Sequence, residues 1–420
     1  VSPARPAAVL GGNRIPFARS NGPYGQASNQ DMLTATLDGL VARFGLQDAR
    51  LGEVAAGAVL KHARDFNLTR EAVLGSRLSS QTPAYDIQQA CATGLETAIA
   101  VSNKIRLEQI EVGIAGGVDT TSDAPIALND DLRRVLLAAN AASSPVEIAK
   151  LVTRLRPGQI VPEIPRNEEP RTGLSMGEHA AITAEKWGIS REAQDRLSMQ
   201  SHRNLAAAYE RGFFDDLVMP YLGLERDQNL RPGSDMDSLA KLAPVFGDRE
   251  HGTMTAGNST PLSDGASTVL LASDAWAEEH QFPVLAHLTH CETAAVDFVH
   301  GDDGLLMAPA YAVPRMLDRA GLQLEDFDLY EFHEAFASTV LATFAAWEDP
   351  QWCRDRLGRD GPLGHVDHDK LNVAGSSLAA GHPFAATGGR ILATAAKLLS
   401  ERGGGRALIS ICAAGGNGAV

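Results

Sequence analysis

Four short segments of this chain carry residue types that do nucleophilic and acid–base chemistry. Gln89-Ala-Cys-Ala-Thr-Gly-Leu-Glu places the thiol of Cys91 where a run of small residues turns into a long apolar helix. The free N–H groups and positive dipole end of a helix favour a thiolate, so the position predicts a lowered pKa and a nucleophilic role for Cys91. A nucleophilic cysteine needs a base, and neutral imidazole has the basicity for that at neutral pH. Gly381-His382-Pro383 supplies one, with glycine and proline fixing the backbone on either side of the ring. His333-Glu334-Ala335-Phe336-Ala337 adds a second imidazole and a carboxylate, and Cys412-Ala-Ala-Gly415-Gly416-Asn-Gly adds a second thiol beside a glycine-rich turn. A lone cysteine packs more often as a small hydrophobe. A cysteine hydrolase would use Cys91 and His382 but leaves Cys412 without a purpose, whereas a reaction that protonates a carbon would use it.

The elements that must position these groups alternate along the chain. Ala7-Ala-Val-Leu-Gly reads as a first strand and Asp31–Phe44 as an amphipathic helix with Leu33, Leu37, Leu40 and Val41 on one face. Val54–Leu60, the helix after Cys91 and Val112–Gly117 continue a βαβα order, which means an open sheet covered by helices. From about Ser122 to Phe246 charge and proline increase, which reads as an insertion. A second α/β half begins near Phe282. The halves echo one another: Thr93-Gly94 opens an alanine-rich helix as Thr387-Gly388 does, and Ile114-Ala-Gly116-Gly117 pairs with Cys412-Ala-Ala-Gly415-Gly416.

Composition narrows the class. The 420 residues suffice for more than one domain, and 5% aromatics with 40 glycines point to closely packed helices and glycine-shaped turns. A net charge of −15 argues against a nucleic-acid partner, which needs a basic face. Four cysteines without a CxxC pair form neither a disulfide framework nor a zinc-finger pattern and point to a reducing compartment. No apolar run has the roughly 18 residues of a membrane span, and Val1–Ala8 has no signal-peptide core, so the expectation is a soluble, cytoplasmic protein. His365 and His368 beside Asp367 and Asp369 are a weak metal pattern; no metal is expected.

Taken together and in this order, the Cys91, His333-Glu-Ala-Phe, Gly-His382-Pro and Cys412 segments resemble the thiolases, CoA-dependent enzymes that make or cleave 3-ketoacyl-CoA. The resemblance covers nearly the whole chain. It implies an α/β fold of two duplicated βαβαβαββ halves in five αβαβα layers: residues 1–123 plus 247–281 as the N-terminal half, 124–246 as an inserted loop domain covering the pocket, and 282–420 as the C-terminal half. It also implies an acyl-Cys91 intermediate, His382 as base, Cys412 as second acid/base, and an oxyanion site of His382 with a water held by His333. Main-chain N–H groups of Cys91 and Ala414 would form a second oxyanion site, beside Gly415, with Glu334 orienting its neighbours. Ser175, Met176, Asn258 and Thr260 fall where the family touches substrate. Coenzyme A is implied as substrate, with no tightly bound cofactor, in a homodimer or homotetramer. His333 and Cys-Ala-Ala-Gly-Gly are closest to the thiolase subunits of β-oxidation trifunctional complexes, which implies a possible hydratase/dehydrogenase partner and favours degradation. Biosynthetic condensation of two acetyl-CoA and a non-catalytic CoA-binding subunit are the alternatives.

Overall fold

The computed structural model describes residues 5–153 and 155–420; the first four residues of the Val1–Ala8 segment lie outside them. Along the strand Ala7–Arg14 successive side chains point to opposite faces, and every residue is buried. Ala8 and Leu10 join a core with Met32, Leu37 and Val41 of the helix Asn29–Phe44. Ala7 and Val9 join another, with Ala98 and Val101 of the helix Thr93–Arg106 and Leu392 and Ala396 of the helix Thr387–Glu401. The strands Glu53–Ala56, Val112–Asp119 and Ser263–Ala272 divide alike: Val54, Ile114 and Leu270 face the first core, Ala55, Ala115 and Val269 the second. A sheet buried on both faces must carry helices on both.

The second half repeats the plan. Its strand Leu329–Phe332 sends Leu329 to the inner core and Tyr330 and Phe332 outwards, against Val313 of Pro309–Ala320 and Val340 of Ala337–Glu348. Strand orders match as well. In the first half Glu53–Ala56 pairs parallel with Val112–Asp119, which pairs antiparallel with Ser263–Ala272, which pairs antiparallel with Ala7–Arg14. In the second, Leu329–Phe332, Ala407–Ala413, Asn417–Ala419 and Thr293–Ala295 follow with the same senses. Two sheets with helices outside and between them give the five layers expected from the sequence. Residues 387–396 of the helix Thr387–Glu401 are all buried, as a helix between two sheets must be.

Glycine permits the middle layer. A Cβ on Gly388 would lie 2.1 Å from the Leu95 nitrogen, and one on Gly94 2.5 Å from the Ala385 carbonyl oxygen, so the two matched Thr-Gly helix starts touch backbone to backbone. The other expected pairing does not hold. Gly116 and Gly117 lie inside a strand, where a Cβ would strike Ser267 and Ala385 carbonyl oxygens, whereas Gly415 and Gly416 form a turn with φ of +74° and +72°. Close approach and left-handed backbone both select glycine, and a sequence pattern does not tell them apart.

Between Asp119 and Ser263 run the helices Asp130–Ala141, Pro145–Val152, Met176–Lys186 and Arg191–Glu210. The first two bury no residue. The others pack onto both halves, Ala180 beside Ala335 and Cys412, and Leu205 in the inner core. No helix among the described residues is long and apolar enough to cross a membrane.

Candidate active site

The strand Ala84–Asp86 leads into a tight turn before the helix Thr93–Arg106. Ala90 sits there at φ +45°, a left-handed conformation that costs a non-glycine residue about 1–2 kcal/mol. Thr93 holds it: its hydroxyl donates to the Ala90 carbonyl at 2.7 Å and accepts the Gln89 N–H at 2.8 Å. Cys91, half-buried, is carried on this turn just ahead of the helix. The main-chain N–H of Ala414 and that of Cys91 itself face the sulfur. Burial still dominates, and with the charges of Asp119 and Glu169 it pushes the Cys91 thiol up to about 12. The lowered pKa expected from the helix position is therefore corrected: backbone donors recover only part of the cost of desolvating a thiolate, and two carboxylates oppose it.

His382 arrives from the other half. Gly381 takes φ +103°, which turns the chain so that the His382 N–H donates to Ser263 Oγ and Nδ1 meets Thr387 Oγ1 at 2.6 Å. His333 is anchored likewise, Nδ1 to Ser377 Oγ at 2.7 Å, and the two imidazole centroids are 4.0 Å apart. In both rings Nε2 is buried and has no hydrogen-bond partner. A nitrogen of each ring and Cys91 Sγ lie within 4.8 Å of one another. Burial, with Arg390 adding, pushes His382 down to about 3, and His333 is pushed well down by burial, His382 and Arg390. Both imidazoles are therefore neutral at physiological pH. Arg390, itself buried, donates to Ser376 Oγ and to Ser377 Oγ at 2.9 Å.

Cys412 completes the group. It packs with Ala335, Phe336 and Met176, and burial, then the charge of Cys91, pushes its thiol up. Glu334 accepts from Ser201 Oγ, Asn372 Nδ2 and the Leu378 N–H. Sequence reading missed Asp119, Glu169 and Arg390. Asp119 accepts N–H bonds from Val59 and Leu60 and, across the halves, from Ala385 three residues past His382; burial pushes it up to about 7. Glu169, buried, accepts the Gly415 N–H at 2.6 Å from the inserted segment. A charged residue alone in an apolar run, as Arg390 is in Gly-Gly-Arg-Ile-Leu-Ala, is the signal that could have found it.

The expected substrate contacts divide. Met176 packs in the cluster that contains Cys412, Phe336 and Leu306. Thr260 donates to the Ala335 carbonyl, tying its loop to the His333 segment. Ser175 caps the helix Met176–Lys186, its hydroxyl forming a capping box with Glu178. Asn258 is buried, its amide bonded to Asp195, Thr253 and Thr255. His365 pairs with Glu348 and stacks with His368, and neither joins a cluster of ligating side chains among the described residues. A cavity of about 710 Å³ lined by Leu285, Met316 and Leu399 lies apart from Cys91, His333, His382 and Cys412.

Comparison with known proteins agrees with this geometry. The descriptions "Thiolase, N-terminal domain" and "Thiolase, C-terminal domain" match residues 7–275 and 282–420. A 3-ketoacyl-CoA thiolase of Yersinia pseudotuberculosis is 40% identical over 98% of this chain and 95% of its own. The Bacillus anthracis acetyl-CoA acetyltransferase superposes with a TM-score of 0.81 at 28% identity, covering 100% of this chain and 98% of its own. Human mitochondrial 3-ketoacyl-CoA thiolase in complex with CoA gives 0.81 at 27%, covering 99% and 97%. With both halves matched and the whole length aligned, the chain belongs to the thiolase family.

Proposed function

We propose that this chain cleaves 3-ketoacyl-CoA with coenzyme A, giving acetyl-CoA and a shortened acyl-CoA through an acyl-Cys91 intermediate. The observation that carries the reading is the meeting of Cys91 Sγ with two neutral imidazoles whose Nε2 atoms have no other partner. Thiol and imidazole are both neutral at rest, so the Cys91 proton passes to His382 Nε2 as sulfur attacks the keto carbon. Thr387 suits that step, because its hydroxyl oxygen accepts from Nδ1–H both while Nε2 is the base and after Nε2 has taken the proton.

The alkoxide formed at the keto carbon needs donors. Ser377 Oγ already accepts from Arg390, and turning its O–H to His333 Nδ1 leaves the His333 proton on Nε2, aimed at the site without an intervening water. The C–C bond then breaks and releases the enolate of acetyl-CoA. Cys412, its thiol kept protonated by burial, gives that carbon its proton. The acyl oxygen on Cys91 is held by the N–H groups of Cys91 and Ala414, each such donor contributing about 3 kcal/mol. The CoA thiol then takes the acyl group, and the reverse sequence condenses two acyl-CoA molecules.

Residues 124–246 act as the cover domain, with Met176 against the acyl end beside Cys412. No cofactor beyond CoA enters the scheme. A homodimer or homotetramer, a hydratase/dehydrogenase partner in β-oxidation and a cytoplasmic location belong to the same reading, in keeping with four free cysteines. The test is incubation with acetoacetyl-CoA and CoA, following loss of the keto thioester and, by mass spectrometry, an acyl adduct on Cys91. Neither turnover nor adduct in a folded preparation would sink the proposal.

A further inference from the structure

Two histidines, each with a ring nitrogen within 4.8 Å of one thiol and a buried Nε2 without a partner, make a different kind of site as well. We propose that Cys91, His333 and His382 bind a thiophilic divalent cation of the Zn2+ class, which caps the nucleophile and reversibly shuts the enzyme off. The ion is an inhibitor, outside the reaction proposed above.

The donor set is the first reason. One thiolate and two imidazoles are zinc's usual protein ligands, and three of them leave the fourth tetrahedral position to water. The reach is the second. The ligand atoms already lie within 4.8 Å of one another. A tetrahedral ion with bonds of about 2.0–2.3 Å places its ligands roughly 3.5 Å apart, so contraction by about 1 Å completes the site. Anchoring is the third: each ring is held through Nδ1 by a hydroxyl, Ser377 for His333 and Thr387 for His382, which is how ligating histidines are normally oriented. Either hydroxyl can accept from Nδ1–H, leaving the Nε2 lone pairs for the metal. The two Nε2 atoms, buried and otherwise unsatisfied, gain the partner they lack.

Charge is the opposing consideration. Arg390 lies near both rings and disfavours a cation, and burial pushes the neighbouring Glu331, to about 8, and Glu334 towards their neutral forms, so the thiolate formed on binding supplies the charge that offsets the ion. Binding replaces the Cys91 S–H bond by S–Zn, releases one proton to solvent and changes no oxidation state.

The test uses the full chain without substrate. Zn2+ affinity is measured by competition with a chromophoric chelator for the wild type, for protein alkylated at Cys91 with iodoacetamide, for His333→Asn and for Cys291→Ser. Co2+ is then added to each to look for thiolate-to-metal charge-transfer absorption. The expected result is one ion per chain, affinity lowered at least about 100-fold by alkylation and by His333→Asn, a charge-transfer band in the wild type that alkylation removes, and no change in Cys291→Ser. Alkylation of the folded wild type keeps the test valid if His333→Asn does not fold. No binding at micromolar Zn2+, or affinity indifferent to alkylation, overturns the proposal. So does loss of binding in Cys291→Ser, which would put the ion in the groove of His290, Cys291 and Glu292. Thiolysis by chelator-treated enzyme is scored separately, so the proposed reaction and the metal site stand or fall apart.

Discussion

The two central helices begin alike and do different work. Both open on Thr-Gly, and their glycines touch. In the N-terminal half the threonine hydroxyl is spent on its own turn, holding Ala90 at φ +45° so that Cys91 projects ahead of the helix. In the C-terminal half the same hydroxyl leaves its turn alone and holds the imidazole of His382. There Gly381, at φ +103°, turns the chain ahead of His382, and Phe384 lies at φ +20° three residues before Thr387, the place that Ala90 holds before Thr93. A duplicated frame thus brings two matched helix ends to one point, and in the proposed reaction one end carries the nucleophile and the other its base.

The largest break in this comparison is chemical. Cys91→Ser keeps the turn and its Thr93 clamp but removes the thiol, and turnover should fall by on the order of 10⁴-fold or more, as for the loss of other enzymic nucleophiles. Steady-state thiolysis together with adduct detection measures it, and normal turnover would refute the assignment. Thr387→Val should lower kcat by about 100-fold, the smaller end of what a well-placed base contributes, at little cost to the melting point. Its isosteric counterpart Thr93→Val should reverse the emphasis. It frees the Gln89 N–H and Ala90 carbonyl and should lower stability by about 1–2 kcal/mol in denaturant unfolding, with a smaller loss of kcat. Equal effects of the two variants would erase the distinction between the helices. Gly388→Ala tests the frame itself: alanine is the better helix former, yet its Cβ would meet backbone atoms of Leu95 at 2.1 Å. A destabilisation of about 3 kcal/mol is expected, and a gain would mean the helices can part.

Much of this was legible because the demands were local. The apolar run Ala7–Gly11 marked a strand, the Leu33, Leu37, Leu40 face marked a covering helix, and Cys91, His333, His382 and Cys412 stood out by residue type in small-residue surroundings. What escaped detection depended on pairs remote in sequence. Asp119 matters because it takes an N–H from Ala385, and Glu169 because it takes one from Gly415, links of 266 and 246 residues that no periodicity encodes. The hydrogen-bond partners of Ser175 and Asn258 were equally out of reach, because which neighbour a side chain bonds is decided by turn geometry. The sign of the Cys91 shift failed for a related reason. Helix position can be read from sequence, while the depth of burial and the nearby carboxylates appear only after folding.

That sign yields the smallest and sharpest prediction. With the thiol pushed up to about 12, reaction of free enzyme with iodoacetamide at Cys91 should keep rising about tenfold per pH unit from 7 to 9, following the thiolate fraction. A standing thiolate–imidazolium pair would instead give a plateau near neutrality. Glu169 is one of the two charges that raise this thiol. Glu169→Gln removes the charge while an amide oxygen can still accept the Gly415 N–H. The thiol pKa should fall, the thiolate fraction at pH 8 should rise, and alkylation should speed up by on the order of threefold. Asp119 is untouched by that change and burial remains the larger cause, so the slope with pH should persist. A slower reaction in Glu169→Gln would mean that the carboxylate acts by holding the glycine turn rather than through its charge, and would move Glu169 from the electrostatics of the nucleophile to the geometry of the Ala414 N–H.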